Sequence, residues 1–411
     1  MENEENREEG FSCLEISEKK DSCVVTGFCS SLKDHPLEVK IPETYHGKPV
    51  TEIGEEAFKG EKLTSLSLPD SLKIIGESAF EGCKNLREVS LPSGLESLGR
   101  RAFQDCTSLK EVSFPSHPLK EIDVFPFSEG APGINWLVFS GCTALSSIRI
   151  EGDSSIYKVE GNCLLSKDGK RLIFGLKNTE IPSSVEVIGK LAFYGLDFPS
   201  LLLPDSLKKI EARAFEGCSK LKEIPLPKSL EEIGACAFAG DEELTEMVLP
   251  SSLKVLGGGA FFHCRKLTSI SLPDSLSEIE EHTFDACVSL RSVFLGKNLK
   301  VIHDWAFLQD SNISFLVLPP KLEEIEEFAF AECSLGLVIP ASLTDLPNLD
   351  FLEDGGVKAL YFEKEEKGWK LSKKQKEEFE EKIFFYSEKG NADGKHWHYV
   401  DGKPKAWSLA K

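Results

Sequence analysis

Phenylalanine recurs through most of this chain at a spacing of 22 or 23 residues. The recurring residues are Phe58, Phe80, Phe103, Phe193, Phe215, Phe238, Phe261, Phe284, Phe307 and Phe330. The interval from Phe103 to Phe193 is 90 residues, close to four periods. Self-similarity at such a period indicates a repeat architecture. It overrides the two or three globular domains that a length of 411 residues would otherwise suggest.

Each repeat divides into two short extended pieces. The unit from Leu63 to Cys83 reads LTSLSLPDSLKIIGESAFEGC. Its first piece alternates leucine with serine, which is the period of a half-buried strand, and Pro69 suits a strand end. Its second piece, residues 72–76, ends on a glycine that permits a tight bend before Phe80. A 23-residue unit cannot bury its own apolar side, whereas stacked units share a continuous core. We therefore expect a β-rich solenoid of about a dozen 22–23-residue repeats with parallel strands roughly 4.8 Å apart.

The pattern L-x-x-L-x-L-P-x-x-L-x-x-I-G-x-x-A-F-x-x-C resembles the BspA-like leucine-rich repeat of bacterial proteins over residues 48–340. Segments outside the regular units, at residues 41–50, 157–173, 385–388 and 397–402, resemble the flanking and variant parts of such proteins. The resemblance implies a curved, right-handed leucine-rich repeat superhelix. It also implies protein-binding or adhesive roles, usually at the cell surface, and no catalytic residues.

Three regions are expected from where the repeat pattern holds and where it breaks. Because terminal units of a solenoid need covering, the non-repeating ends are interpreted as caps. The expected regions are an N-terminal cap at 1–48 with a disordered acidic start, the solenoid at 49–340, and a C-terminal cap at 341–411. The solenoid is irregular at 116–136, where Phe127 and Phe139 both fit the phenylalanine ladder, and has a hairpin variant at 151–180. Within the C-terminal cap we predict a short helix over 371–383 and a hairpin around Asp401 and Gly402.

Seven of the twelve cysteines occupy one repeat position, three residues after a ladder phenylalanine. They are Cys83, Cys106, Cys142, Cys218, Cys264, Cys287 and Cys333, while Asp241 and Asp310 take the same position in other units. This pattern favours a packing role and free thiols. A disulfide between adjacent units, such as Cys264 with Cys287, is the alternative.

The remaining signals argue against an enzyme or a nucleic-acid-binding protein. The net charge of −20 disfavours phosphate-backbone binding and anionic membrane surfaces. No apolar run is long enough to insert in a membrane as a helix. The nucleotide, metalloprotease and hydrolase motifs are absent from the sequence. The pair His396 and His398, and the trio His263, His282 and His303 at different repeat positions, do not specify a metal site. No catalytic residue, cofactor or metal is therefore predicted.

The polarity of one predicted surface changes along the chain. On the first strand of each unit, the residues that alternate with the core leucines face outwards. They are polar in early units, at Ser65, Ser67, Glu88, Ser90, Glu111 and Ser113, and apolar in later ones. The apolar outward positions are Leu202, Val248, Phe294, Phe315, Val317 and Val338. Because large apolar patches on folded proteins mark contact sites, these six residues form the candidate interaction surface. Burial of Val317 and Val338 under the C-terminal cap is the alternative.

The sequence thus favours a non-enzymatic leucine-rich repeat protein that binds another protein, such as a host or bacterial surface protein, through the open sheet face. A structural or self-associating surface protein, with a homodimer paired through the apolar stripe, is the alternative. The N-terminus is acidic and lacks the apolar core of a signal peptide, which favours the cytoplasm. The resemblance favours the cell surface or secretion, so the expected localisation stays divided between the two.

Overall fold

The structure, a computed structural model, describes residues 13–30, 35–117, 121–122, 138–310, 312–343, 356–364, 382–388, 395–401 and 403–406. Within these ranges the regular structure is β-strand and turn, without a helix. The contacts of the chain divide it into two compact units, Met1–Leu196 and Asp197–Lys411. The start that was expected to be disordered and most of the irregular segment at 116–136 lie outside the described residues. So does most of the predicted helix at 371–383, although Ile383 itself begins a strand.

The described residues of the first unit form sixteen strands, most of them two to five residues long. They are β1 Leu14–Glu18, β2 Cys23–Phe28, β3 Glu38–Lys40, β4 Thr44–Tyr45, β5 Lys48–Ile53, β6 Ser65–Ser67, β7 Ile74–Ile75, β8 Glu88–Ser90, β9 Ser97–Leu98, β10 Glu111–Pro115, β11 Glu121–Ile122, β12 Ser147–Glu151, β13 Tyr157–Glu160, β14 Cys163–Ser166, β15 Arg171–Phe174 and β16 Val187–Ile188. Each regular turn contributes one strand to each of two parallel rows. In the first row β10 lies between β8 and β12, and in the second β5, β7, β9 and β11 follow one another.

Two places in the first unit leave the parallel pattern. At the N-terminal end, β1 pairs antiparallel with β2, which in turn pairs parallel with β5. In the variant repeat, β13, β14 and β15 form an antiparallel meander before β15 pairs parallel with β16. These strands start and extend the sheet that the regular turns build.

The second unit repeats the two-row plan and ends in longer strands. Its strands are β17 Lys209–Ile210, β18 Glu232–Ile233, β19 Glu246–Val248, β20 Val255–Leu256, β21 Ser269–Ser271, β22 Glu278–Ile279, β23 Ser292–Phe294, β24 Val301–Ile302, β25 Phe315–Val317, β26 Glu324–Ile325, β27 Leu335–Ile339, β28 Val357–Phe362, β29 Ile383–Tyr386, β30 His396–Val400 and β31 Lys403–Ala406. The first row runs β19, β21, β23, and the second contains β22, β24 and β26. Strands β25, β27, β28, β29 and β30 continue in parallel, and β31 returns antiparallel to β30 after Asp401. The expected β-solenoid with repeats about 23 residues apart is thus confirmed.

The phenylalanine ladder forms the centre of the core. All ten ladder rings are buried with no exposed surface. Neighbouring rings stack nearly parallel, as between Phe215 and Phe238, whose centroids are 5.3 Å apart. The backbone joins successive turns at the same place, since the N–H of Phe238 donates to the carbonyl of Ala260, 2.9 Å away. Each ladder residue therefore fixes both the packing and the register of its turn.

In the long interval between Phe103 and Phe193, two rings continue the ladder. Phe139 stacks on Phe103 at 5.7 Å, which settles the choice that the sequence left between Phe127 and Phe139. Phe174 of the variant repeat follows at 5.9 Å, tilted by 46° to Phe139. The tilt accompanies the change from parallel turns to the antiparallel meander.

The ladder cysteines form no disulfide, as predicted, and their thiols have a specific role. The Sγ of Cys264 donates to the carbonyl oxygen of Phe238 at 3.2 Å, and Cys287 does the same to Phe261 at 3.1 Å. The bond recurs at Cys83, Cys106, Cys142 and Cys333. Cysteine suits this buried position because its side chain is small and its thiol supplies one weak donor to the phenylalanine carbonyl.

We expect native-state alkylation to spare the buried thiols. Burial raises the pKa of Cys83 and of Cys264, so neither forms the reactive thiolate at neutral pH. Mass spectrometry should show modification confined to the half-buried Cys13, Cys29 and Cys236 in the native chain. All twelve thiols should react after denaturation without reductant. A Cys264–Cys287 disulfide in the denatured, unreduced sample would contradict this expectation.

Candidate functional site

The outward positions of the first-strand row form the candidate surface in the second unit. Pairing places residues one repeat apart side by side, with Val248 opposite Ser271 and Ser271 opposite Phe294. The intervening residues point inwards, as Met247, which is buried, shows. Val248 is 79% exposed and Phe294 is 65% exposed. The predicted assignment of the two strand faces is confirmed for these strands.

Four exposed apolar residues define what we call the apolar strip: Leu202, Val248, Phe294 and Val317. Leu202 is 82% exposed and lies two residues after Ser200, which bridges to Glu223 of the next turn. Val317 lies on β25, next to β23, and remains 43% exposed. Phe315, at the other end of β25, is half-buried and borders the strip.

Val338 does not belong to this surface, and the expectation that it faces solvent is wrong. It lies on β27 and is buried with no exposed surface. The strand after it explains the burial, because Val338 pairs with Tyr361 of β28. The Tyr361 ring reaches across the face so closely that a Cβ at Gly336 would lie 2.6 Å from it. The open face thus ends at Val317.

Acidic groups flank the strip on the same face. Glu223 and Glu246 occupy outward positions two residues before Pro225 and Val248, and both are exposed. Side chains two residues apart on a strand share a face, so these carboxylates lie beside the apolar residues. The strip is therefore apolar at Leu202, Val248, Phe294 and Val317, is interrupted by Ser271, and has a negative margin at the end near Leu202.

The corresponding face of the first unit is polar, as predicted, at Ser65, Ser67, Glu88 and Ser90, which are all exposed. Ser113 is an exception and is buried. It pairs with Arg149 of β12, whose guanidinium Nε lies 3.1 Å from the Glu111 carboxylate. A surface of small polar groups and paired charges offers little apolar area to a partner.

A row of aromatic side chains on another surface of the second unit was not predicted. His282 stacks on Trp305 with centroids 5.1 Å apart, and Trp305 stacks on Phe328 at 5.9 Å. Phe262 meets the edge of His282 at 6.3 Å. His282, Trp305 and Phe328 each stand two residues before a ladder phenylalanine. That shared repeat position is the signal that would have revealed the row.

A second unpredicted cluster joins histidine and glutamate. The ligand atoms of Glu278, Glu280 and His303 all lie within 4.8 Å of one another. His303 Nε2 is 3.4 Å from the Glu278 carboxylate, and His303 Nδ1 is 2.9 Å from Glu326. His303 meets glutamates of the adjacent turns, whereas His282 Nδ1 pairs with the Asp285 carboxylate at 2.9 Å. Among the described residues this is the one group of three or more such side chains that could hold a metal ion.

The stretches that the structure describes include no helix long and apolar enough to cross a membrane.

Comparison with solved structures returns leucine-rich repeat proteins. A leucine-rich repeat protein from Eubacterium ventriosum shares 22% identity at a TM-score of 0.56, covering 76% of this chain and 78% of that one. A leucine rich cell surface protein from Faecalibacterium prausnitzii shares 24% identity at a TM-score of 0.36, covering 69% and 93%. The pneumococcal vaccine antigen PcpA shares 19% identity at a TM-score of 0.45, covering 79% and 91%. The first of these supports the shared fold. No curated protein matches the chain.

The repeat family is identified by direct match. Residues 51–167, 171–261 and 231–354 match the BspA type leucine rich repeat region, which is described by six copies of the repeat. These ranges cover more than half of the chain and coincide with the turns that carry the phenylalanine ladder. The chain therefore belongs to the family of BspA-type leucine-rich repeat proteins.

Proposed function

We propose that this protein is a non-enzymatic binding protein that docks a partner protein on the apolar strip of its open sheet face. The observation that carries the proposal is the exposure of Phe294, an aromatic ring left 65% accessible on an otherwise ordered strand. Aromatic residues are enriched among the anchors of protein interfaces, because a ring buries a large area at little entropic cost. Repeat solenoids commonly bind through such extended faces.

The charge distribution indicates the kind of partner. Glu223 and Glu246 lie beside the strip, and the whole chain carries a net charge of −20. A partner with an apolar centre and a basic margin complements this surface, and the opposite charges would steer the encounter. A second copy of this chain is equally acidic, so it fits the margin less well.

Phe294→Ser should weaken partner binding while leaving the fold intact. Burial of such a side chain contributes roughly 1.5–3 kcal/mol, which corresponds to about a 10- to 150-fold loss of affinity. The thermal midpoint should stay close to that of the native chain, because the ring removed is not part of the core. Val255→Ser is the matched control, since Val255 is also exposed, at 50%, but lies on β20 in the other row.

A photo-crosslinking residue at position 294 would identify the partner, with the same residue at the exposed Ser67 of the polar face as reference. A basic protein that crosslinks at 294 but not at 67, and that binds Phe294→Ser more weakly, supports the proposal. Light scattering separates the alternative: a stable homodimer that Phe294→Ser dissociates would favour self-association. Unchanged partner binding by Phe294→Ser would refute docking on the strip.

A further inference from the structure

We propose that Glu278, Glu280 and His303 form a binding site for a divalent transition-metal ion of the zinc class, positioned by Glu326. The site lies on the second-strand row, apart from the apolar strip on the first-strand row, so it is independent of the proposed docking face. Four side chains on three successive turns build it.

The repeat register brings these residues together. Glu280, His303 and Glu326 each follow the buried isoleucine that ends a second strand, namely Ile279, Ile302 and Ile325. Strands β22, β24 and β26 pair in parallel at a shift of one repeat, so equivalent positions are neighbours. Glu278, on β22, adds a second carboxylate from the same turn as Glu280. Glu278 lies on the strand itself, and the backbone N–H groups of His303 and Glu326 donate to the carbonyls of Ile279 and Ile302 at 3.0 and 2.9 Å, so hydrogen bonds between turns hold these positions.

The orientation of the imidazole is suited to a metal. His303 Nδ1 is 2.9 Å from Glu326 Oε1, so Nδ1–H donates to this carboxylate, and Nε2 faces the Glu278 carboxylate at 3.4 Å, where a bound metal ion would replace the proton on Nε2. Glu326 is itself held, because its Oε2 accepts the backbone N–H of Asp304 at 2.8 Å. A carboxylate that hydrogen-bonds the far nitrogen of a ligating histidine is a recurrent feature of zinc sites, where it fixes the ring and increases its basicity.

The donor set selects the ion. One imidazole nitrogen and two carboxylates suit Zn²⁺ and its neighbours, whereas Ca²⁺ and Mg²⁺ prefer oxygen ligands alone. The ligand atoms lie within 4.8 Å of one another, and a tetrahedral zinc would draw them to roughly 3.3 Å. Glu278 is exposed and Glu280 half-exposed, so both can make this adjustment. Three protein ligands leave a fourth position for water or for a group from a partner.

Calorimetric titration of the tag-free, metal-free chain with Zn²⁺ tests the site. We expect a high-affinity event of one ion per chain that His303→Gln abolishes. Glu326→Gln should weaken that event by about 10- to 100-fold, as the loss of an orienting carboxylate does. Glu324→Gln is the matched control and should change nothing, because Glu324 is exposed on β26 outside the cluster.

Co²⁺ provides a spectroscopic check that separates this site from the cysteines. Binding here should give d–d bands without sulfur-to-cobalt charge transfer, and His303→Gln should remove them. Two results would overturn the proposal: no one-ion event in the native chain, or the same event in His303→Gln. Either would leave the four residues as an ion-pair network between turns.

Discussion

Phe238→Ala is expected to lower the free energy of unfolding by about 3–5 kcal/mol, as truncation of buried phenylalanines does. Phe238 has no exposed surface and stacks between Phe215 at 5.3 Å and Phe261 at 5.6 Å. The substitution removes the contacts of one ring with two neighbours and leaves a cavity between turns. In a stack where each turn contacts only its neighbours, no other part of the core can fill that space.

Denaturant unfolding should be measured for Phe238→Ala and Phe294→Ser side by side. The two variants compare the loss of a buried ring with the loss of an exposed ring of the same size. The surface variant should unfold close to the native midpoint, while Phe238→Ala should unfold well below it. Equal midpoints for native and Phe238→Ala would mean that the ladder does not form the core. A collapsed midpoint for Phe294→Ser would mean that the strand faces are reversed.

The regular part of the fold could be predicted because residues at the same repeat position have the same surroundings in every turn. A phenylalanine that recurs every 22 or 23 residues must occupy the same place in every turn, so Phe58 and Phe330 could be placed in the core without a structure. The same logic predicted the outward direction of Phe294. The period breaks at the variant repeat, where spacing alone does not place a ring. The ring of Phe174 belongs to an antiparallel meander, and its spacing from Phe103 fits no whole number of turns.

The candidate surfaces were less predictable, because exposure depends on what lies beyond the repeat. Val338 follows the strand alternation, yet Tyr361 from a non-repeating strand covers its neighbourhood. The cluster around His303 was hidden for a different reason. The three histidines stand at different repeat positions, whereas His303 shares its repeat position with Glu280 and Glu326. A search that compares histidines only with other histidines therefore misses a site formed by histidine and glutamate together.

Asp241→Cys is expected to stabilise the protein. Asp241 occupies the repeat position of the ladder cysteines and is buried with no exposed surface. Its carboxyl oxygens make no well-formed hydrogen bond beyond the approach of the Cys218 backbone, and Asp310 is placed alike beside the Cys287 backbone. A buried polar group without a partner costs about 1–3 kcal/mol. Cysteine removes that cost and places a thiol where it can donate to the Phe215 carbonyl, as Cys264 does to Phe238.

The pH dependence of stability gives the mechanism a separate signature. Burial raises the pKa of Asp241 well above its ordinary value, the negative charge of Glu216 raises it further, and the Cys218 backbone opposes the shift only in part. The native state therefore keeps the proton that the unfolded chain releases near pH 4. For a group whose pKa is raised on folding, the contribution to the free energy of unfolding is most favourable below the pKa of the unfolded state. It is lost as the pH rises towards the pKa of the folded state.

Urea unfolding of the native chain and Asp241→Cys between about pH 4 and pH 8 measures this contribution. The gain in free energy of unfolding from Asp241→Cys should be smallest at the acidic end of the range and should grow as the pH rises. The reason is that only the aspartate of the unfolded chain ionises across most of that range. Asp310→Cys should behave alike, since burial and the charge of Asp285 raise the pKa of Asp310 in the same way. Asp205→Cys is the control, because Asp205 is exposed and its replacement should leave the pH profile unchanged. A gain that is constant with pH would show that Asp241 does not hold its proton in the folded protein.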